Sequence, residues 1–154
     1  MDNAASDWTL PVNFYFLVDF QSKFDHFQTS FMEVSGLEMR LKSNKKKNDS
    51  NVDVNMPTGI SYGKITLKRA VPTSNNDIFT QWAYKCLKAD KEKMIVSYDM
   101  IIKILDQEGK PVVGWNCSHA YPLKWSLGDL NAQKSDLVME TVVMGCNRID
   151  RIKI

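Results

Sequence analysis

The sequence predicts a mainly β protein, a single-domain barrel or sandwich of about seven strands with one flanking α-helix. Three observations support this. Runs rich in β-branched and aromatic residues recur at short intervals, divided by Gly, Pro, Asn and Asp clusters rather than by helical patterns. A single stretch has its apolar residues at helical spacing. The chain has 154 residues, 44% hydrophobic and 25% charged, which is long enough to bury a core without staples and too ordinary for disorder.

Pro11 to Phe20 opens the series as a strand, with Phe14, Phe16 and Val18 on one face and Tyr15, Leu17 and Asp19 on the other. The stretch QSKFDHF reads as a turn or a short hairpin return. Phe31 to Lys42 alternates as one strand, and Gly36 in its middle suggests a bulge or a close backbone approach. Ser43 to Ser61 is the long irregular stretch, with three lysines, four asparagines and a Pro-Thr-Gly turn. A loop of that length is either solvated and mobile or an arm that orders against a partner. Tyr62 to Arg69 returns to strand, with Ile65 and Leu67 on one face and Tyr62, Lys64, Thr66 and Lys68 on the other.

The helix spans Asp77 to Ala89. Ile78, Phe79, Trp82, Ala83, Cys86 and Leu87 form its apolar stripe; Ser74, Asn75 or Asn76 caps it, and Asp77 suits the positive end of its dipole. DKEK closes it. Met94 to Leu105 is a long strand, and DQEGKP a turn. VVGWNCS and YPLKWS are two short strands around Ser118, His119 and Ala120. LGDLNAQKSD is a polar connection, and Leu137 to Ile149 is the last long strand. Met94 to Leu105 and Leu137 to Met144 are apolar on both faces, so both faces need cover. Strand edges left open are a liability that a symmetric assembly of copies resolves.

Little here points to catalysis. Ser118 and His119 are neighbours, and strand neighbours face opposite ways, so they do not cooperate as nucleophile and base. Asp129 and Asp136 sit in a polar connection that leaves carboxylates solvated and unshifted. Cys86, Cys117 and Cys146 are odd in number and widely spaced, and with only His26 and His119 to add they make no zinc site; they read as small buried residues in a reducing cytosol. No phosphate-cradling glycine motif appears, and no cofactor is expected. Twenty basic residues against 18 acidic ones, net +2, give no field for nucleic acid or an anionic membrane. Met1 to Leu10 lacks a basic start and an apolar run, so no signal peptide is expected and synthesis is expected in the cytoplasm. No apolar stretch approaches the ~20 residues that cross a bilayer, so membrane insertion is not expected either.

Four stretches together carry a resemblance. NFYFLVDF with FMEVSGLEMRL, then YGKITLKRAV, then DIFTQWAYKC, then AYPLKWSLGDLNAQKSDLVMETVVMGCNRI are similar, in order, to the tail tube proteins of contractile-tailed phages and of extracellular contractile injection systems. In outline they also resemble the tube protein of type VI secretion. The residues carrying the likeness are Gly36, Tyr62, Lys68, Arg69, Trp82, Tyr121, Pro122, Trp125, Asn131 and Glu140.

The resemblance implies a tail-tube-like domain over residues 1–154. It implies no enzyme but a structural inner-tube subunit, forming hexameric rings that stack into a hollow tube propelled by sheath contraction. The implied partners are copies of itself, sheath subunits, baseplate and tube-initiator proteins, and a lumen cargo of effector protein or DNA. Such a subunit is assembled into a phage-tail-like particle. Glu140 and its neighbours become strand residues of ring or lumen wall. Residues 43–61 become an extended inter-subunit loop, with Lys45, Lys46, Lys47, Asp49, Met56 and Pro57 as inter-ring contacts. In that loop the sequence departs from the family: SNKKKNDSNVDVN replaces a glycine-rich, arginine-glutamate stretch and Met56-Pro57-Thr58-Gly59 replaces an L-P-G turn; after the TLKR run, Ala70 replaces a glycine. Such departures suit a tube-initiating or adaptor subunit at a baseplate. A third reading is a stand-alone β-sandwich binding module, with Trp115 and Trp125 stacking on carbohydrate.

Overall fold

The computed structural model describes residues 16–89, 95–133 and 137–154. Among these the strands number ten rather than about seven. In chain order the elements are β1 (Phe16–Gln21), β2 (His26–Phe31), β3 (Glu33–Ser35), β4 (Met39–Lys47), β5 (Asp53–Tyr62), β6 (Ile65–Ala70), α1 (Ile78–Leu87), β7 (Tyr98–Leu105), β8 (Pro111–Leu127), β9 (Met139–Gly145) and β10 (Arg148–Ile152). All pairings are antiparallel. Eight strands form one sheet in the order β2-β1-β7-β8-β9-β6-β3, with β10 beside β8; among the described residues β4 and β5 pair only with each other.

The two ends of that order meet. Chain leaving β2 passes directly to β3, and the Met32 N–H donates to the Lys68 carbonyl at 2.8 Å on the way. The curved sheet therefore closes on itself as a barrel. Val18, Phe20, Ile65, Leu67, Met100, Ile102, Cys117, Val142 and Met144 point inward and are buried. Helix α1 sets Phe79, Trp82 and Cys86 into the same core. Phe20 stacks on Phe27 at 4.8 Å, Phe31 meets Phe79 edge-on at 5.3 Å, and Trp82 meets Tyr98 edge-on at 5.1 Å. Each fully buried ring contributes roughly 1.5–3 kcal/mol. The Trp82 indole N–H donates to the Val96 carbonyl at 2.8 Å, so its polar atom is not orphaned.

Several sequence expectations are corrected. VVGWNCS and YPLKWS are halves of one 17-residue strand, β8. Its first half pairs with β7 and β10; its second half pairs with β9. Between the halves Tyr98 faces Ala120 while Met100 faces Cys117, so β8 carries an extra residue there. His119 absorbs it with φ 52, and its backbone N–H donates to Asp99 Oδ1 at 3.1 Å. A β-bulge thus bends the strand where the sequence suggested two.

Phe31 to Lys42 is divided rather than continuous. Gly36 takes φ 87, and a Cβ there would lie 2.0 Å from the Lys64 carbonyl oxygen. Only glycine passes that point, so the chain turns off β3 and leaves the barrel as β4. Ser43 to Ser61 is not irregular: it forms most of the β4–β5 hairpin. The Asn48 side chain accepts from the N–H groups of Ser50 and Val52, at 3.0 and 2.9 Å, and Asn51 takes φ 62. Asparagine suits both roles, and the polar run hid a turn rather than a loop.

Leu137 to Ile149 breaks at Cys146 and Asn147 into β9 and β10, where the Asn147 N–H donates to the Ser118 carbonyl at 2.9 Å. Tyr62 ends β5 rather than opening β6. Helix α1 is capped by Asp77, not by Ser74, Asn75 or Asn76. Of the predicted stripe, Phe79, Trp82, Ala83 and Cys86 are buried, whereas Ile78 and Leu87 are exposed. Cys86 and Cys117 are buried but Cys146 only half so. The first residues of the predicted opening strand (11–15), DKEK, Met94 and Asp136 lie outside the described residues.

Candidate assembly interface

The β4–β5 hairpin is an arm. Residues 39–60 are all exposed, and its strands of nine and ten residues reach about 30 Å from the barrel. At its foot Tyr62 packs against the core beside Leu37. Two-stranded hairpins are at best marginally stable alone, and among the described residues neither edge of this one has a neighbouring strand. Met39, Leu41, Val54, Met56 and Ile60 all show large apolar surface to solvent. Among the described residues nothing covers this apolar surface, and exposed apolar surface of that kind is characteristic of an interface.

The sequence-derived loop residues fall on its outer half. Lys45, Lys46 and Lys47 face Asn55, Val54 and Asp53 across the ladder; Asp49 is in the turn; Met56 faces Asn44 and Pro57 faces Ser43. Between Lys42 and Ser43 the register shifts by one, leaving Thr58 unpaired. Residues 39–62 hold five basic and two acidic side chains, net +3, leaving 15 basic and 16 acidic elsewhere in the chain.

The remaining motif residues build the barrel that carries the arm. Arg69, on the inward face of β6, is the centre of a buried polar network. Its Nε donates to Glu140 Oε2 at 2.9 Å. One terminal nitrogen donates to Thr29 Oγ1 at 2.9 Å and Asp77 Oδ1 at 3.3 Å. The other donates to Asp77 Oδ2 at 2.5 Å and Thr80 Oγ1 at 3.0 Å. All five guanidinium donors have partners. Its carbon lies 5.0 Å from the Phe79 ring centre and 5.6 Å from that of Phe31. Burial alone lowers the Arg69 pKa, but the bonds to Asp77 and Glu140 outweigh it and hold it above the ordinary value. Burial likewise raises Asp77, and the bonds from Arg69 and Thr80 outweigh it, so its carboxyl titrates below the usual range. Asp77 both caps α1 and anchors Arg69, a double role that the sequence reading missed.

Glu140 is therefore a buried residue on β9. Its side chain is 3% exposed and accepts the Trp125 indole N–H at 2.7 Å. Trp125 and Trp115 both lie against the core, and Tyr84 meets Trp125 edge-on at 5.2 Å. Trp125 is thus tied inward, unlike a sugar-stacking platform. Lys68 points outward, 3.5 Å from Glu33. Tyr121 covers Gly145, Pro122 is buried in β8, and Asn131 is exposed, its side chain accepting from the Gln133 N–H at 3.0 Å. Trp82 is the core ring described above. Arg69, Trp82, Trp125 and Glu140 converge around α1; Gly36 and Tyr62 meet at the foot of the arm; Asn131 joins neither group.

Among the described residues no group of His, Cys, Asp and Glu could hold a metal. The His119 ring nitrogen Nδ1 lies 3.4 Å from Ser97 Oγ, yet Asp99 binds the His119 backbone and not its ring, so no catalytic relay forms. No described helix is long and apolar enough to cross a membrane.

The model of the T4-like virus tail tube protein gp19 family matches residues 12–150. No curated protein matches the chain. Solved structures do. A chain of the anti-feeding prophage baseplate, 6-fold symmetrised, is 23% identical at TM-score 0.76, with 94% of this chain and 96% of that one covered. A chain of the sheath-tube complex of the PVC extracellular contractile injection system, in the extended state, is 18% identical at TM-score 0.76, covering 97% and 95%. A chain of the anti-feeding prophage tube-terminating cap is 19% identical at TM-score 0.73, covering all of both. At these identities the likeness is one of fold. The family consists of structural proteins and not enzymes. Matched over nearly its whole length and sharing the barrel, the chain belongs to the T4-like tail tube protein family.

Proposed function

We propose that the chain is the structural inner-tube subunit of a contractile injection system or phage-tail-like particle. As a single domain, it forms hexameric rings that stack into a hollow tube, and a contracting sheath drives that tube outward. The observation that carries this reading is the exposed arm: 30 Å of two-stranded ribbon with apolar surface that its own barrel does not cover. Its partners are copies of itself, sheath subunits, and baseplate and terminator proteins, with effector protein or DNA in the lumen. The fold it shares with a chain of a sheath-tube complex supports that set. The work is mechanical, resting on interstrand hydrogen bonds and buried apolar contacts.

A second reading is an initiator or adaptor that forms one ring at the baseplate without polymerising. The equally good fold match to a baseplate chain favours it. Negative-stain microscopy of the purified protein separates the two: stacked tubes support the first, rings that never stack the second, and a monomer at high micromolar concentration neither. Deleting Lys45 to Asn51 removes the tip of the arm. The barrel is expected to stay folded while tubes shorten; unchanged tube length refutes the role given to the arm.

A further inference from the structure

The corner at which β8 bends brings two of the three cysteines together. Ser118 faces Arg148 on one side of it, and Tyr121 faces Gly145 on the other. The chain takes the same number of steps from Ser118 to Tyr121 as from Gly145 to Arg148, so Cys146 stands opposite Ala120. In an unbroken strand Cys117 and Ala120 would point to opposite faces. The positive φ of His119 between them reverses that, and both are buried in the core. Residues opposite one another in a ladder share a face, and Cys146 packs against the same core. The Asn147 N–H, donating to the Ser118 carbonyl at 2.9 Å, holds the β9–β10 turn onto this corner. There the Cys117 S–H donates to the Cys146 sulfur, which also accepts from the Arg148 N–H. Donation from Cys117, opposed by burial and aided by Arg148, holds the Cys146 thiol below its ordinary pKa; donation and burial both push Cys117 up. The half-buried sulfur is thus the nucleophile and the buried one its partner. Cys86 differs: burial raises its thiol, which donates to the Val96 carbonyl at 3.9 Å rather than to a cysteine.

We propose that Cys117 and Cys146 are a redox pair, which an oxidant of the peroxide class converts to a disulfide across the corner of β8. The Cys146 thiolate attacks one peroxide oxygen and the O–O bond breaks, leaving a sulfenic acid on Cys146. The hydroxide released takes up the proton that the thiol had given to solvent, forming water. The Cys117 sulfur then attacks the Cys146 sulfur, the S–O bond breaks, and the Cys117 proton leaves with that oxygen as a second water. Two thiols are oxidised to one disulfide, and one peroxide is reduced to two waters. A thiol reductant reverses the change by exchange. Thiols already in contact need little strand movement to reach bonding distance. The bond closes a loop of about 30 residues and ties β8 to the β9–β10 turn beside the His119 kink. In a reducing compartment the pair stays as thiols, and a chain that leaves it acquires the tie. The site is complete within one copy and holds for either reading of the tube.

Hydrogen peroxide added to the purified full chain, without thiol reductant, tests this. Alkylation in denaturant counts the thiols left, and intact mass and non-reducing peptide maps locate the change. Wild-type protein is expected to lose two of its three thiols, to become lighter by two hydrogens, and to yield one cross-linked peptide joining Cys117 to Cys146. Cys86→Ser is expected to behave the same. Cys146→Ser is expected to keep both remaining thiols, whereas Cys117→Ser stops at a sulfenic acid on Cys146 that dimedone traps. The cross-linked chain is expected to melt about 5–10 °C above the reduced one by circular dichroism, and dithiothreitol to abolish the difference. The wild-type peptide map decides the matter even where a variant does not fold. A wild-type chain that keeps three thiols, links Cys86 or a second chain, or stops at oxidised Cys146 with Cys117 free overturns the pair. A linked chain that melts no higher than the reduced one refutes the tie.

Discussion

Replacing Arg69 with methionine tests whether the buried ion network holds helix α1 to the barrel. The guanidinium is 8% exposed at the side chain and lies between Glu140 at 3% and Asp77 at 20%. Methionine fills similar space but leaves Glu140 in the core with only the Trp125 N–H, at 2.7 Å, to satisfy it. Stranding one member of a buried pair costs about 3–5 kcal/mol. For a chain of this size that lowers Tm by roughly 6–20 °C. The double variant Arg69→Met with Glu140→Leu removes both charges. It is expected to recover most of the loss, leaving about 1–3 kcal/mol for the unpaired Trp125 N–H and the exposed end of the cap. Urea and thermal melts at neutral pH, read by circular dichroism and Trp fluorescence, measure both. The reasoning fails if the single variant costs less than about 1 kcal/mol, or if the double is no more stable than the single.

Two further outcomes follow from the same geometry. Gly36→Ala places a methyl 2.0 Å from the Lys64 carbonyl oxygen in a left-handed backbone, and is expected to destabilise by about 1–3 kcal/mol or more; soluble yield and Tm report it. Asp77 titrates lower folded than unfolded, so its contribution is full above its unfolded pKa of about 3.9 and is lost as pH falls through the folded value. Wild-type stability is therefore expected to fall more steeply below about pH 4 than that of Asp77→Asn, and parallel acid limbs in melts of the two would contradict this.

The barrel was legible where one face of a strand is buried. Ile65 and Leu67 announced β6, and Phe79, Trp82 and Cys86 announced α1, because burial writes a period into sequence. The arm was not legible, since neither face of β4 or β5 is buried within the chain. With no core to select them, apolar residues alternate only briefly at Met39–Leu41 and Val52–Met56, Ser43 to Lys47 are all polar, and the Thr58 bulge breaks the pattern on β5. Strand breaks failed for a different reason. Gly36 signalled its close approach because only glycine fits, but His119 adopts φ 52, and the modest enrichment of histidine there is too weak a signal to mark a bulge. The candidate site was half readable. Composition marked the lysines and Pro57 only as part of a long polar stretch, and the resemblance alone gave them a role; the Arg69–Asp77–Glu140 network needs three distant segments brought together, which no local pattern records.

β8 has a mechanical consequence. Its 17 residues belong to both flanks of the barrel, paired with β7 and β10 along one half and with β9 along the other. A pull that tends to slide one flank past the other is met by covalent backbone running through both, so tension travels along bonds that do not break under thermal forces. Separating the flanks would require peeling whole ladders off this one tie, and the kink at His119 is where such a tie would first straighten.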